Sequence, residues 1–261
     1  VVAHAQTFSD GAHTSIPAPG LGALAVARGG RDSVIARNLA ELGVGIDDVA
    51  FVSKHDTSTN ANDPNESDLH TRVGRALGRS AGNPLLVVSQ KTLTGHAKGG
   101  ACVFQVGGII DAFRSGVIPA NIALDCVDDK MEQYSPLVWL RSPLDLSARG
   151  PVRAAFATSL GFGHVSGLIA IVHPGAFEAA LRQAAGQEAV DAWLTSANAR
   201  LAAGTRRRRA GMIGRAPLFE PVQGRRLGEE SKQRDPHEVE AAMLLDPDAR
   251  LGSDGVYHAG E

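Results

Sequence analysis

Val49-Ala50-Phe51-Val52-Ser53-Lys54-His55-Asp56-Thr57-Ser58-Thr59-Asn60-Ala61-Asn62-Asp63-Pro64-Asn65-Glu66 runs from an apolar stretch through a polar loop into a helix start. Val49–Ser53 reads as a short buried strand. Asp63-Pro64-Asn65-Glu66 has the pattern of a helix entry. It predicts Asp63 as N-cap, Pro64 in the first helical position and Glu66 as the reciprocal partner of the cap. The helix then carries Leu69, Val73 and Leu77 on one stripe and ends by Gly78. Strand, loop and helix in this order form the unit of a layered α/β domain.

The unit repeats on both sides. Arg31–Leu42 places Val34, Ile35, Leu39 and Leu42 at helical spacing before Gly43 stops it. Leu85–Ser89 is a second buried-type strand. Gly99–Ser115 is apolar on nearly all sides and rich in small residues, which predicts a helix buried in the core. Val152–Ser159 and Leu168–His173 read as strands flanking Gly161-Phe162-Gly163, close enough to pair as a hairpin. After Pro174 the character changes: alanine-rich Ala176–Ala203 predicts one or two helices. Arg206–Arg209 follows, then a stretch rich in Gly, Pro and charge to Glu261. The expected division is a layered α/β region over 1–173 and a helical extension with a tail over 174–261.

The 261 residues are 43% hydrophobic and 21% charged, an ordinary globular composition. A net charge of −2 speaks against a nucleic-acid binder. No apolar run approaches ~20 residues, so no membrane span is expected. Two cysteines cannot build a disulfide framework, which favours a reducing, cytoplasmic setting. No basic-then-apolar leader is seen. Val1-Val2-Ala3 reads as the middle of a strand, so the chain is expected to be a piece of a longer polypeptide.

The chemistry-bearing residues sit where predicted strands give way to loops. His55 follows Val49–Ser53. Lys91 and His96 follow Leu85–Ser89 in Gln90-Lys91-Thr92-Leu93-Thr94-Gly95-His96-Ala97-Lys98-Gly99-Gly100. A strand end is held rigidly from behind and open in front. Two such histidines with a lysine point to a site that handles a proton or a developing oxyanion near neutral pH.

These loops, with Ser159-Leu160-Gly161-Phe162-Gly163, resemble three ordered motifs of the β-ketoacyl-acyl-carrier-protein synthases, the condensing enzymes of fatty acid synthesis. His55-Asp56-Thr57-Ser58-Thr59 is similar to the histidine loop. Lys91–His96 is similar to the lysine–histidine loop, and Gly161–Gly163 to the glycine–phenylalanine–glycine turn. The flanking sequences are most similar to the condensing domain of type I fatty acid synthases, and the resemblance covers roughly 1–173. It implies the second half of a thiolase-like layered α/β fold. It also implies a decarboxylative condensation of malonyl-carrier thioester with an acyl-enzyme thioester.

By this resemblance His55 and His96 donate ring N–H groups to the enolate, and Lys91 holds their network. Thr57 and Thr59 bind the phosphopantetheine arm of the acyl carrier protein, and no other cofactor is implied. The Phe162 amide joins the oxyanion hole within the Gly161–Gly163 turn while its ring gates the acyl pocket. Three departures stand out. Gln105 occupies the position where many bacterial members carry a glutamate partner for the lysine. His164 follows the turn where a further glycine is usual. The nucleophilic cysteine, which precedes both histidines in the family, has no counterpart. Cys102 follows His96 and reads as a buried structural thiol, and Cys126 has no base at a recognisable spacing. The nucleophile is therefore expected in a missing N-terminal half.

The implied partners are that half, the remainder of a synthase polypeptide, the carrier protein and further copies in a homo-oligomer. The alternative reading is a non-catalytic thiolase-fold subunit for dimerisation or carrier docking. No histidine or cysteine pair at ligand spacing suggests a metal site. Arg206–Arg209 reads as a solvated helix end or an acidic-carrier dock.

Overall fold

A six-stranded mixed sheet organises the protein, seen in a computed structural model that describes residues 1–9, 21–60, 62–161, 165–215, 247–248, 250–251 and 257–258. In chain order the elements are β1 (Val2–Ser9), α1 (Val34–Glu41), β2 (Val49–Ser53), α2 (Asn62–Ala76), β3 (Leu85–Val88) and α3 (Lys91–Thr94). Then come α4 (Ala101–Ser115), β4 (Val117–Ile118), β5 (Leu137–Trp139), β6 (Leu144–Asp145), β7 (Ala154–Gly161), β8 (Val165–Val172) and α5 (Pro174–Met212). The sheet order is β1-β8-β7-β2-β3-β5. β7, β2, β3 and β5 run parallel, while β8 and β1 are antiparallel to their neighbours. The expected hairpin is present, with Gly161 paired to Val165.

Both faces of the sheet are covered, which is why the parallel strands read as unbroken apolar runs rather than alternating ones. Val49, Val52, Val87 and Phe156 join Ile35 and Leu39 of α1 and Leu69 and Val73 of α2 in one core. Phe51, Leu86, Val88 and Ala155 join Ile109, Ala112 and Phe113 of α4 in the other. Burial of each such Val, Leu, Ile or Phe side chain contributes roughly 1.5–3 kcal/mol.

Three expectations change. α4 is not buried all round. Ala101, Gln105, Ile109, Ala112 and Phe113 face the sheet, while Val103, Phe104 and Ile110 are 72%, 47% and 48% exposed. Its apolar outer face hid the periodicity that marks a one-sided helix. α2 begins at Asn62, whose N–H donates to Thr59 Oγ1 at 3.3 Å, so Thr59 caps the helix instead of Asp63. Glu66 turns inward and makes no capping box. β5 was hidden because it is only three residues long and follows Pro136, yet it pairs in parallel with β3.

The chain divides into two compact units, Val1–Ala180 and Leu181–Glu261. α5 leaves helical geometry at Gly186, with φ 85° and ψ 176°. Among the described residues no helix is long and apolar enough to cross a membrane.

Candidate active site

The parallel direction of β2, β3 and β7 brings their carboxyl ends to one edge of the sheet. His55 lies two residues past β2, Lys91 opens α3 just past β3, and Gly161 ends β7. Ligands of open α/β sheets bind at such strand ends. The His55 and His96 rings meet edge to face, with centroids 5.6 Å apart and planes at 84°.

Their protonation states follow from their neighbours. Lys91 Nζ lies 3.4 Å from His55 Nδ1, and an ammonium can only donate. Nδ1 therefore accepts, and the neutral ring carries its proton on Nε2. Burial first, then the Lys91 charge, lowers the His55 pKa from 6.5 to about 4. His96 is arranged similarly: the Lys98 backbone N–H donates to its Nδ1 at 3.1 Å. Loss of hydration, then the charges of Lys91 and Lys98, pushes its pKa down from the usual value. Near neutral pH each ring is uncharged and offers one Nε2–H.

Glu66, fully buried, anchors the site from α2. Oε1 accepts from the His55 N–H at 2.6 Å and the Thr158 hydroxyl at 2.5 Å. Oε2 accepts from the Asp56 N–H at 2.9 Å and Asn62 Nδ2 at 3.2 Å. Because Thr158 donates to the carboxylate, its oxygen is free to accept from His70 Nε2 at 3.2 Å. The His70 ring itself stays 3.9 Å from Oε1, beyond hydrogen-bond reach. Burial alone would raise the Glu66 pKa. The adjacent His70 ring, the Lys54 charge and the Thr158 hydroxyl outweigh it and hold the carboxyl ionised, well below the usual range.

Lys91 also donates to the His55 carbonyl. Burial lowers its pKa, and the opposing charges are Glu66 and Asp56. Gln105, at the position of the family's glutamate, gives Lys91 no charge. It is buried and donates to backbone carbonyls instead. Glu66 thus takes over as the buried counter-charge. The sequence reading missed this role because Glu66 fits a capping pattern. The available signal was that Glu66, Leu69, His70, Val73 and Leu77 share one helical stripe, which puts two polar side chains on the buried face.

Asp56 and Ser58 adopt left-handed φ values of 41° and 52°, so the loop coils. Thr57 and Thr59 hydroxyls still share one side, 3.4 Å apart. Beside them a cavity of about 190 Å³ is lined by Lys54, Asp56, Ser58, Asp63, Thr92 and Trp139, among others. Lys54 is almost wholly buried there, with Nζ 3.3 Å from Ser67 Oγ and 5.9 Å from the Trp139 ring centroid. Burial and the adjacent Asp56 raise the Asp63 pKa from 3.8 to about 6.

Gly161 is in place at the end of β7, whereas Phe162, Gly163 and His164 lie outside the described residues. Cys102 is not packed in the core as expected. It is half-buried and lines a mainly apolar cavity of about 370 Å³ with residues such as Thr7, Ala157 and Ile169. Burial raises its thiol pKa, against the Lys91 charge. Cys126 is exposed. Among the described residues no cluster of three or more His, Cys, Asp or Glu is arranged to hold a metal.

A mixed sheet with four parallel strands and an antiparallel β7–β8 pair, covered by helices on both faces, is the thiolase-like layered α/β fold. The fold is similar to the crystal structure of the noncanonical ketosynthase FabY from P. aeruginosa. That match has a TM-score of 0.66 and 23% identity, over 90% of this chain and 39% of that one. Residues 1–125 match the family described as β-ketoacyl synthase, C-terminal domain. The match to that C-terminal domain thus covers 125 of the 261 residues. The chain is 34% identical to fatty acid synthase 2 of Mycosarcoma maydis over 98% of its length. It is 36% identical to the fatty acid synthase subunit alpha of Lachancea kluyveri over 83%, and 43% identical to that of Saccharomyces cerevisiae over 52%. The chain spans only 6%, 11% and 7% of those three relatives, which are far longer proteins.

Proposed function

We propose that this chain supplies the decarboxylation half of a β-ketoacyl synthase site within a larger fatty acid synthase. The observation that carries the reading is the pair of neutral histidines, each with Nδ1 occupied by a donor and Nε2–H left to give. In the reaction the malonyl thioester loses carbon dioxide as its C–C bond breaks. The electron pair passes into an enolate whose oxygen accepts from Nε2–H of His55 and His96. The enolate carbon then attacks the acyl thioester carbonyl, and the cysteine thiolate leaves. That cysteine is assigned to a part of the domain outside this chain: burial raises the Cys102 thiol, and both cysteines follow the two histidines, the reverse of the family's order.

In this reading Lys91 keeps both rings neutral. Thr57 and Thr59 present hydroxyls to the phosphopantetheine arm of a carrier protein. The Gly161–Gly163 turn with Phe162 forms the oxyanion and gating loop. The rest of the synthase polypeptide, the carrier domain and further copies of the domain are its partners. His55→Ala and His96→Ala in the complete synthase test the assignment. Removing one such donor costs about 2.7–4 kcal/mol, so malonyl decarboxylation should fall on the order of a hundredfold or more in each. Full decarboxylase activity in both variants would sink the reading.

A further inference from the structure

We infer that Gln105 is a positioning residue whose side-chain amide fixes His55 and the β7 end of the site by donating to three converging backbone carbonyls. Its Nε2 lies 2.7 Å from Ser53 O, 2.9 Å from Lys54 O and 3.1 Å from Thr158 O. The inference rests on the reading of His55 as an enolate donor.

The placement explains why a donor is needed there. β2 and β7 pair in parallel up to Ser53 and Ala157, and there the ladder ends. Beyond that point Lys54 and Thr158 no longer face each other across the β2–β7 ladder, although β7 stays paired with β8 as far as Gly161. A buried carbonyl without a donor is costly. Gln105 reaches up from α4 and closes this gap.

The orientation of the amide is fixed by what it faces. Gln105 Oε1 is buried and has no hydrogen-bond partner. A flipped amide would aim that oxygen at three carbonyl oxygens, so the NH₂ must face them. Its two protons serve three acceptors, which ties both strand ends to one nitrogen. A carboxylate in the same place would meet those oxygens with charge and no proton.

His55 is therefore held along its main chain from three helices. Gln105 of α4 takes the carbonyl of the preceding residue, Lys54. Glu66 of α2 takes the His55 N–H, and Lys91 of α3 takes the His55 C=O. Thr158 is held twice as well, its carbonyl by Gln105 and its hydroxyl by Glu66. Gln105 so couples the depth of the His55 ring to the strand that leads into Gly161.

The test uses the complete synthase with Gln105→Met, which keeps the bulk and removes the donors, and Gln105→Glu, which keeps the shape. In Gln105→Met the decarboxylation kcat should fall on the order of tenfold, with KM for the malonyl thioester unchanged. Gln105→Glu should show a similar loss at about pH 8 and regain rate toward about pH 6. A buried carboxyl that faces three carbonyl oxygens and receives no donor titrates high, and its protonated form can donate again. Wild type should gain nothing over that range. Wild-type rates in Gln105→Glu, or an equal loss at both pH values, would overturn the inference. Should Gln105→Met fail to fold, the two pH values of Gln105→Glu decide alone. His55→Ala separates the two claims. If it abolishes decarboxylation while both Gln105 variants match wild type, only the role of Gln105 fails. If it leaves decarboxylation intact, the enolate-donor reading fails first.

Discussion

Glu66→Gln is the substitution that most directly probes the architecture of the site. It conserves volume, so no cavity term enters. The carboxylate receives four donors, two on each oxygen. In the best arrangement the amide oxygen keeps the His55 N–H and the Thr158 hydroxyl, and the new NH₂ faces the other pair. Asn62 can rotate its amide to present an oxygen, but the Asp56 N–H cannot adapt. One buried donor left unpaired costs about 1–3 kcal/mol. Two bonds that lose their ionic partner lose about 1–2 kcal/mol together, since charge-assisted bonds are roughly twice as strong as neutral ones. Relief of the buried charge offsets part of this. A net loss of about 2–4 kcal/mol should lower the melting temperature of the complete domain by roughly 2–6 °C.

The loss also has a pH signature. The folded carboxyl titrates below its usual value of 4.5, so its stabilisation is full above that value and fades as pH falls through the lower folded one. The gap in melting temperature between wild type and Glu66→Gln should therefore hold steady from about pH 8 to about pH 5 and close at more acid pH. A gap below about 1 °C at neutral pH, or one that widens on acidification, would refute the reasoning.

Asp63→Asn should act in the opposite direction, stabilising the domain at about pH 8. The Asp63 pKa is raised to about 6, so the ionised group destabilises the fold as pH rises through that value. Thermal melts at several pH values should show the gain shrinking toward acid, and a destabilised variant at alkaline pH contradicts it. Alkylation mapped by mass spectrometry should label exposed Cys126 well before Cys102, whose thiol is half-buried and raised. An acyl-thioester pulse should leave both unmodified, and acylation of Cys102 would make it the nucleophile. Val103→Asp on the apolar outer face of α4 should destabilise the complete domain despite the 72% exposure of Val103 in this chain. With Phe104 and Ile110 it forms an apolar patch of the kind that another surface covers. Unchanged melting of that variant would show the face is open to solvent.

Much of this fold was legible because its elements carry local signals. Val49–Ser53 is β2 to the residue, and the stripe of Leu69, Val73 and Leu77 is buried. The hairpin around Gly161 followed from two apolar runs close in sequence. The elements that escaped owe their state to distant partners. β5 is three residues that become a strand by pairing with β3, a tertiary fact without a periodic signal. α4 is apolar on both faces, so its sequence alone could not say which face meets the sheet. At the site, His55, Lys91 and His96 are brought together as the motif order implied. The supports around them could not be read in advance. Glu66 matches a capping pattern, and its true acceptor role depends on where the chain returns as β7. Asp63 fits an N-cap pattern and Lys54 carries no local signal, and only the packing of α2 beside Trp139 buries the lysine.

One ammonium sets two properties of His55 at once. Lys91 blocks Nδ1, which leaves the proton on Nε2, and its charge lowers the ring's pKa, which leaves the ring neutral. Either property without the other would disturb the site: a ring free to exchange tautomers, or a cation that repels Lys91. The lysine can hold this position only if its own charge is compensated. With a neutral amide at Gln105, that compensation comes from Glu66 and Asp56. Glu66 is the same group that fixes the His55 amide and Thr158. The geometry of the histidine and its electrostatics therefore depend on one buried carboxylate. Replacing a neighbour that serves only one of these functions should disturb the site less than replacing Glu66.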